Sequence, residues 1–152
     1  MNSTSTELVI SRVFDAPREV VYRAWTDPDQ VAQWFAPAGW SVPRDSVQID
    51  PRPGGVQRFT MVNDSDPAQT SPVDAVFLEV VPNELLVGAE DWDPTGNRPE
   101  GEKFTLRVEF ADEDGKTRLT IRQGPFPAGD ILSQANAGWT SALDKLDVLL
   151  AG

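Results

Sequence analysis

The sequence predicts an α+β fold in which a curved antiparallel sheet wraps round one long C-terminal helix. Three observations carry this expectation. A first strand is followed by two short capped helices; six period-two segments then run from Trp40 to Gln123 with no helix between them; and Asp130 to Leu150 carries a one-sided apolar stripe at helical spacing. Consecutive strands joined by short turns make an antiparallel meander, which hides one face and wets the other. The long helix must bury its stripe, and the apolar face of the sheet is the only large partner available. A strongly curved sheet around one helix leaves space wherever side chains do not fill it.

The first strand is Glu7 to Phe14. Asp15 is placed to accept from the free N–H groups of a helix over Ala16 to Trp25, and Pro17 sits where its missing N–H costs nothing. Val20 with Ala24, and Val21 with Trp25, make the expected buried stripe of that helix. Thr26 or Asp27 with Pro28 repeats the device for a second helix, Pro28 to Trp34, which Pro37 and Gly39 end. Trp40 to Asp50 reads as a strand turned by Pro51-Arg52-Pro53-Gly54-Gly55. Val56 to Val62 follows, with Phe59 and Met61 on one face and Arg58 and Thr60 on the other. Asn63 to Ser71 is a polar loop, Val73 to Val81 a strand, and Pro82-Asn83 a turn into Leu85 to Trp92. After the polar stretch Asp93 to Glu102, Phe104, Leu106, Val108 and Phe110 alternate with polar residues. Asp114-Gly115 is a hairpin signal. Lys116 to Gln123 returns with Leu119 and Ile121 inward, and Gly124-Pro125-Phe126-Pro127 is expected to break the sheet. The stripe of the last helix is Leu132, Ala135, Trp139, Ala142, Leu143, Leu146 and Leu150.

Composition narrows the function. The chain of 152 residues reads as a single domain over 7–152 behind a disordered Ser/Thr tip at 1–6, long enough to bury roughly 68–70% of its unfolded surface. A net charge of −11 argues against nucleic acid and against anionic membrane surfaces. With no Cys and no His, disulfides, thiolate metal sites, a Cys nucleophile and a Ser-His-Asp triad are excluded. Only oxygen ligands remain for a metal, and no Asp/Glu cluster has the spacing of a calcium loop, so neither metal nor cofactor is expected. The start of the chain lacks the pattern of a signal peptide, and no apolar run approaches the ~20 residues of a membrane span, which together suggest a cytoplasmic protein.

Several motifs in order carry a resemblance. Phe14-Asp15-Ala16-Pro17, Ala24-Trp25-Thr26-Asp27-Pro28, Trp34-Phe35 and Pro53-Gly54-Gly55 resemble the activator of heat-shock-protein-90 ATPase homologue family, as do Glu79-Val80-Val81-Pro82, Gly115-Lys116-Thr117-Arg118-Leu119-Thr120, Gly138-Trp139 and Leu143-Asp144-Lys145-Leu146. The likeness runs from about Leu8 to Ala151. It implies the helix-grip fold of the START-like, birch-pollen-allergen-like superfamily (SRPBCC), whose members hold apolar or amphipathic small molecules between sheet and long helix, a few of them as cyclases, aromatases or hydrolases. It also implies a stand-alone bacterial member. The eukaryotic namesake stimulates a chaperone ATPase with the help of a further N-terminal domain, so little stimulation is expected from this chain alone. Where many relatives place a His before a Gly-Phe pair this sequence has Gln123, so a His-dependent activity does not carry over.

The candidate site residues are those expected to face a cavity or its mouth. Phe59, Met61, Phe77, Trp92 and Leu106 lie on the apolar parity of their strands, and Trp139 sits mid-stripe beside Gly138. Gly138 is expected to mark a close approach, of the sheet or of a ligand, and Trp139 serves core packing, a pocket wall, or both. Gln123 shares the parity of Leu119 and Ile121 and is the first choice for a polar anchor; a partner within the protein is the competing reading. Trp34, Phe35 and Trp40 surround a Pro-Ala-Gly turn, as a cavity lid or as a cluster closing the core. Glu90, Asp91 and Asp93 flank Trp92, but alternate faces and a solvated strand end argue against acid–base work. Arg58, Arg122 and Tyr22 read as surface residues. The function expected is non-catalytic binding of a small hydrophobic ligand. A chaperone-interaction module is the alternative, and a His-free enzyme of the polyketide cyclase type the third. A homodimer is compatible with the sequence.

Overall fold

A computed structural model describes residues 5–90, 104–127 and 130–151. The first strand, β1 (Ser5–Phe14), feeds two helices, α1 (Arg18–Thr26) and α2 (Pro28–Trp34). Two short strands follow, β2 (Trp40–Ser41) and β3 (Gln48–Ile49), and then the main strands β4 (Val56–Asn63), β5 (Thr70–Val81), β6 (Leu85–Glu90), β7 (Phe104–Glu113) and β8 (Lys116–Pro127). The chain closes with α3 (Asp130–Ala151). Every pairing is antiparallel, in the order β1-β8-β7-β6-β5-β4-β2, with β3 also on β4. The first strand thus pairs with the last. The sheet curls round α3, which is the helix-grip arrangement the sequence predicts.

Local chemistry explains the elements, with five departures from expectation. The side chain of Asp27 accepts from the Asp29 N–H at 2.9 Å and Pro28 opens α2, as the sequence suggests. At α1, however, Pro17 is the N-cap and no side chain caps the helix, so Asp15 does not play that part. Ala16 is drawn into a tight turn, its N–H on the Phe14 carbonyl, and the first turn of α1 hangs instead from the Pro17 carbonyl. The buried face of α1 is Val21, Ala24 and Trp25. Val20 is 36% exposed, because a residue one step from Val21 lies about 100° round the helix.

The stretch expected as one strand from Trp40 to Asp50 is two short strands with a 3₁₀ turn, Arg44–Ser46, between them. Pro43 has no N–H for a ladder, and its carbonyl accepts from both the amide and the hydroxyl of Ser46. The opposite correction applies at β8. Gly124-Pro125-Phe126-Pro127 continues the strand, with Phe126 buried, because a bulge that sets Gly124 and Pro125 opposite Glu7 alone lets the pairing with β1 resume at Phe126 and Pro127. For the same reason β1 begins at Ser5 rather than Glu7. The last departure is Gly138: a Cβ there would meet only the Pro37 Cβ, at 3.9 Å, so the sheet makes no close approach.

The Asp114-Gly115 hairpin has both residues at positive φ, 56° and 86°, as a tight two-residue turn requires. Gly55 answers to a different constraint. A Cβ there would run into the Asp50 carbonyl, and the loop it belongs to docks on β5 through Gly54 N–H to Phe77 O (2.8 Å) and Phe77 N–H to Gly55 O (2.9 Å).

Two apolar clusters hold the layers together. The larger joins Trp25 and Trp34 to Phe104, Phe110, Leu119 and Ile121 of the sheet and to Ala142, Leu143 and Leu146 of α3. The smaller sits under α2 and gathers Val31, Ala36, Val42, Val47 and Phe59. Among the strands, α3 rests chiefly on β1 and β8. α1 packs on β7, with Tyr22 and Trp25 edge-on to Phe110, so the concave face of β4 to β6 is the part without a helix directly upon it.

Candidate functional site

Between the concave side of the sheet and α3 lies a partly open cavity of about 320 Å³. Its floor is β4 to β8, through Gln57, Met61, Phe77, Gly88, Leu106 and Gln123 among others. Its roof is α3, through Ala135, Gly138, Trp139 and Ala142, and Trp25 and Phe35 close one side. The walls are mostly apolar, with a few polar groups at fixed places, the composition of a small-molecule site.

The roof is a packed aromatic set. Trp139 stacks on Trp25 with ring centroids 5.8 Å apart and planes 23° apart, and meets Phe35 edge-on at 5.4 Å. Its indole Nε1–H donates to Oε1 of Gln123 at 2.8 Å. An indole N–H can only donate, so the amide oxygen of Gln123 faces Trp139 and its NH₂ turns away. Among the described residues that NH₂ has no hydrogen-bond partner.

Two further polar groups lie on the floor. Gln57 is 7% exposed, and its side-chain amide has no hydrogen-bond partner among the described residues. Glu90 also lines the cavity. Burial pushes its carboxyl above the ordinary carboxylate range; a backbone N–H of Asp74 opposes the shift and the Asp74 carboxylate adds to it.

Comparison with known proteins identifies this architecture. Residues 15–151 match the family described as Activator of Hsp90 ATPase homolog 1-like protein. The chain belongs to this family. It is similar to a crystal structure of a Chromobacterium violaceum protein, with 26% identity and a TM-score of 0.81 over 94% of this chain and 95% of that one. It is also similar to a protein of this family from Silicibacter pomeroyi, at 26% identity and a TM-score of 0.77 over 96% and 98% of the two chains. A family-like protein from Aeromonas hydrophila, at 24% identity, shares the fold with a TM-score of 0.77 over 97% and 94%. No curated protein sequence matches the chain.

In this member of the Activator of Hsp90 ATPase homologue family the expected site residues divide. Met61, Phe77, Leu106, Gln123 and Trp139 line the cavity. Phe59 does not; it is buried against Phe35, ring centroids 4.8 Å apart, in the smaller cluster. Trp34 is buried, its Nε1–H on the Ala24 carbonyl at 2.8 Å. Trp40 borders a separate polar cleft of about 220 Å³ near Lys145. Trp92, with Asp91 and Asp93, lies outside the described residues. Of the aromatic trio at the Pro-Ala-Gly turn only Phe35 lines the cavity, while all three border the cleft. Tyr22 is half-buried rather than on the surface, edge-on to Phe110 at 5.5 Å, and burial raises its phenol. Arg58 and Arg122 are on the outer face, paired with Asp74 at 2.9 Å and Glu7 at 3.4 Å.

Sequence reasoning missed Trp25, Gln57 and Glu90 as wall residues. Gln57 was within reach, since it shares the parity of Phe59 and Met61. The wall is held in place from α3. Lys145 donates to the carbonyls of Pro37 (3.2 Å) and Trp40 (3.0 Å), and the Ser141 hydroxyl accepts from Ala38 N–H at 2.5 Å, one helical turn away. Burial lowers the Lys145 ammonium and the Asp64 carboxylate raises it in part. Among the described residues no three carboxylates gather as a metal site, and no helix is long and apolar enough to cross a membrane.

Proposed function

We propose that this protein binds a small apolar molecule, without transforming it, in the cavity between the sheet and α3. The observation that carries the reading is the cavity itself: about 320 Å³, walled by Trp25, Trp139, Phe77 and Leu106, and containing polar groups with unused hydrogen-bonding capacity. Pockets for small molecules run from ~300 to 1,000 Å³, and an apolar cavity of about 150 Å³ already takes one benzene ring. The space fits a molecule of about two rings. The START-like fold of the family, which commonly holds hydrophobic ligands, supports the same reading. Glu90 is the only ionisable side chain among the described wall residues. A lone carboxyl without a second acid, base or nucleophile beside it favours binding over catalysis.

Native mass spectrometry of the purified protein tests for a co-purifying molecule, and titration with a neutral fluorescent apolar probe tests for a site. Binding should be saturable and stoichiometric. Ala135→Phe projects a ring from α3 into the space and should abolish it with the fold intact by circular dichroism. A parent protein that neither carries an adduct nor binds the probe refutes the reading.

A further inference from the structure

This inference rests on the cavity being a binding site and concerns what it selects. We propose that the occupant is an apolar molecule bearing a basic nitrogen, its ammonium held between Glu90 and Gln57 and its rings against Trp25 and Trp139. The register places the two polar groups. Gln57 pairs with Ala75 across β4 and β5, and Val76 pairs with Ala89 across β5 and β6, so one step further along the same ladder sets Ala75 level with Glu90. The amide and the carboxyl stand on either side of an alanine, two strands apart, with about 10 Å between their backbones. All three residues line the cavity. The small side chain of Ala75 stands between the two longer ones, and both can lean over it toward one polar group.

The charge of that place decides which group it is. No Lys or Arg lines the cavity among the described residues, and Glu90 is its sole ionisable side chain. Among the described residues the charge that bears on Glu90 is the Asp74 carboxylate, itself paired with Arg58 on the outer face at 2.9 Å. A bound carboxylate or phosphate would meet the Glu90 carboxyl and, among the described wall residues, no cation. A buried carboxyl facing an ammonium instead gains a charge-assisted hydrogen bond, and the desolvation that disfavours its charged form is offset. The Gln57 carbonyl oxygen accepts a second N–H of the same ammonium, which uses an amide otherwise without a partner. The remaining donor, the Gln123 NH₂, faces away from Trp139 and suits an oxygen acceptor on the body of the ligand.

The test compares three isosteric competitors, naphthalen-1-ylmethylamine, naphthalen-1-ylmethanol and 1-naphthoic acid, for displacement of the neutral probe N-phenyl-1-naphthylamine near neutral pH. The amine should bind about tenfold more tightly than the alcohol, and the acid more weakly than both. Glu90→Gln should remove the advantage of the amine, bringing it to within about twofold of the alcohol measured in the same variant. An amine no tighter than the alcohol in the parent protein overturns the inference but leaves cavity binding standing. A preference for the amine that survives Glu90→Gln overturns it as well. If the parent does not bind the probe at all, the binding reading and this inference fall together.

Discussion

Trp25 and Trp34 meet edge to face with centroids 4.8 Å apart, yet their N–H groups have different fates. Pro28 stands four residues after Ala24 and has no N–H, so the Ala24 carbonyl cannot be satisfied within the helix; the Trp34 indole takes its place at 2.8 Å. The Trp25 Nε1 is buried with no hydrogen-bond partner among the described residues. Trp34→Phe strands a buried carbonyl and should cost roughly 1–3 kcal/mol beyond the change in ring size. Trp25→Phe removes a donor without such a partner and should cost less. Denaturant unfolding gives the ranking, and the reverse order would refute the capping role. Glu90 makes a prediction in pH. Its folded-state pKa is raised by burial above the ordinary 4.5, so the folded protein holds this proton more tightly than the unfolded chain. The carboxyl therefore takes stability away as pH rises from 4.5 through its folded-state pKa, after which the loss is complete. Glu90→Gln should be more stable than the parent at neutral pH, and the gap should close towards acid; parallel stability curves across this range would show that Glu90 is solvated. Neither fate was legible in the sequence. Trp34 and Trp25 look alike by spacing, and an acidic residue at a strand end reads as surface until the curvature of the sheet folds it inward.

At the scale of elements, local pattern worked where one period ruled. The stripe of α3, the alternation on β7 and the Asp114-Gly115 turn follow from residue spacing alone, and Asp27-Pro28 opens α2 as its chemistry requires. The failures share a cause. At Trp40–Asp50 a proline without an N–H broke a strand that side-chain alternation favoured, and at Gly124–Pro127 a bulge that sets Gly124 and Pro125 opposite Glu7 kept one that Gly and Pro argued against. Each outcome turned on backbone pairing, which side-chain alternation does not report. Gly138 gives the test at this scale. The sequence suggests a glycine imposed by a close approach, but a Cβ there meets only the Pro37 Cβ, at an ordinary 3.9 Å. Gly138→Ala should therefore stabilise α3, by about 0.5–1 kcal/mol, while trimming the cavity. Raised stability with weaker probe binding is the expected pair of results. A loss of stability would mean that α3 lies closer to the loop at Pro37 than the structure places it.

For the molecule as a whole, stability is unevenly spread. The long β1–β8 and β8–β7 ladders anchor α3 and the larger cluster, whereas β2 and β3 are two residues each on one margin of the sheet. Hydrogen exchange should be slowest for amides of β8 and its two partners and fastest for β2, β3 and the turn between them. Protection of β3 equal to that of β8 would argue for a single cooperative unit. Exposed ion pairs such as Arg58–Asp74 and Arg118–Glu113 decorate the outer face and contribute little to that hierarchy. The sequence by itself determined the order of strands and helices, the inward parity of Met61, Phe77, Leu106 and Gln123, and, through its lack of His and Cys, the chemistries that are closed to it. Those properties are local: they follow from periods of two and 3.6 and from side-chain type. Only the tertiary structure decided which inward residues touch empty space. With α3 resting on β1 and β8 and α1 on β7, the concave face of β4 to β6 is left open; Phe59 and Trp34 are buried, while Gln57 and Glu90 come to flank Ala75. A cavity is what remains between elements far apart in sequence, and its position depends on sheet curvature and helix placement, which no local pattern encodes.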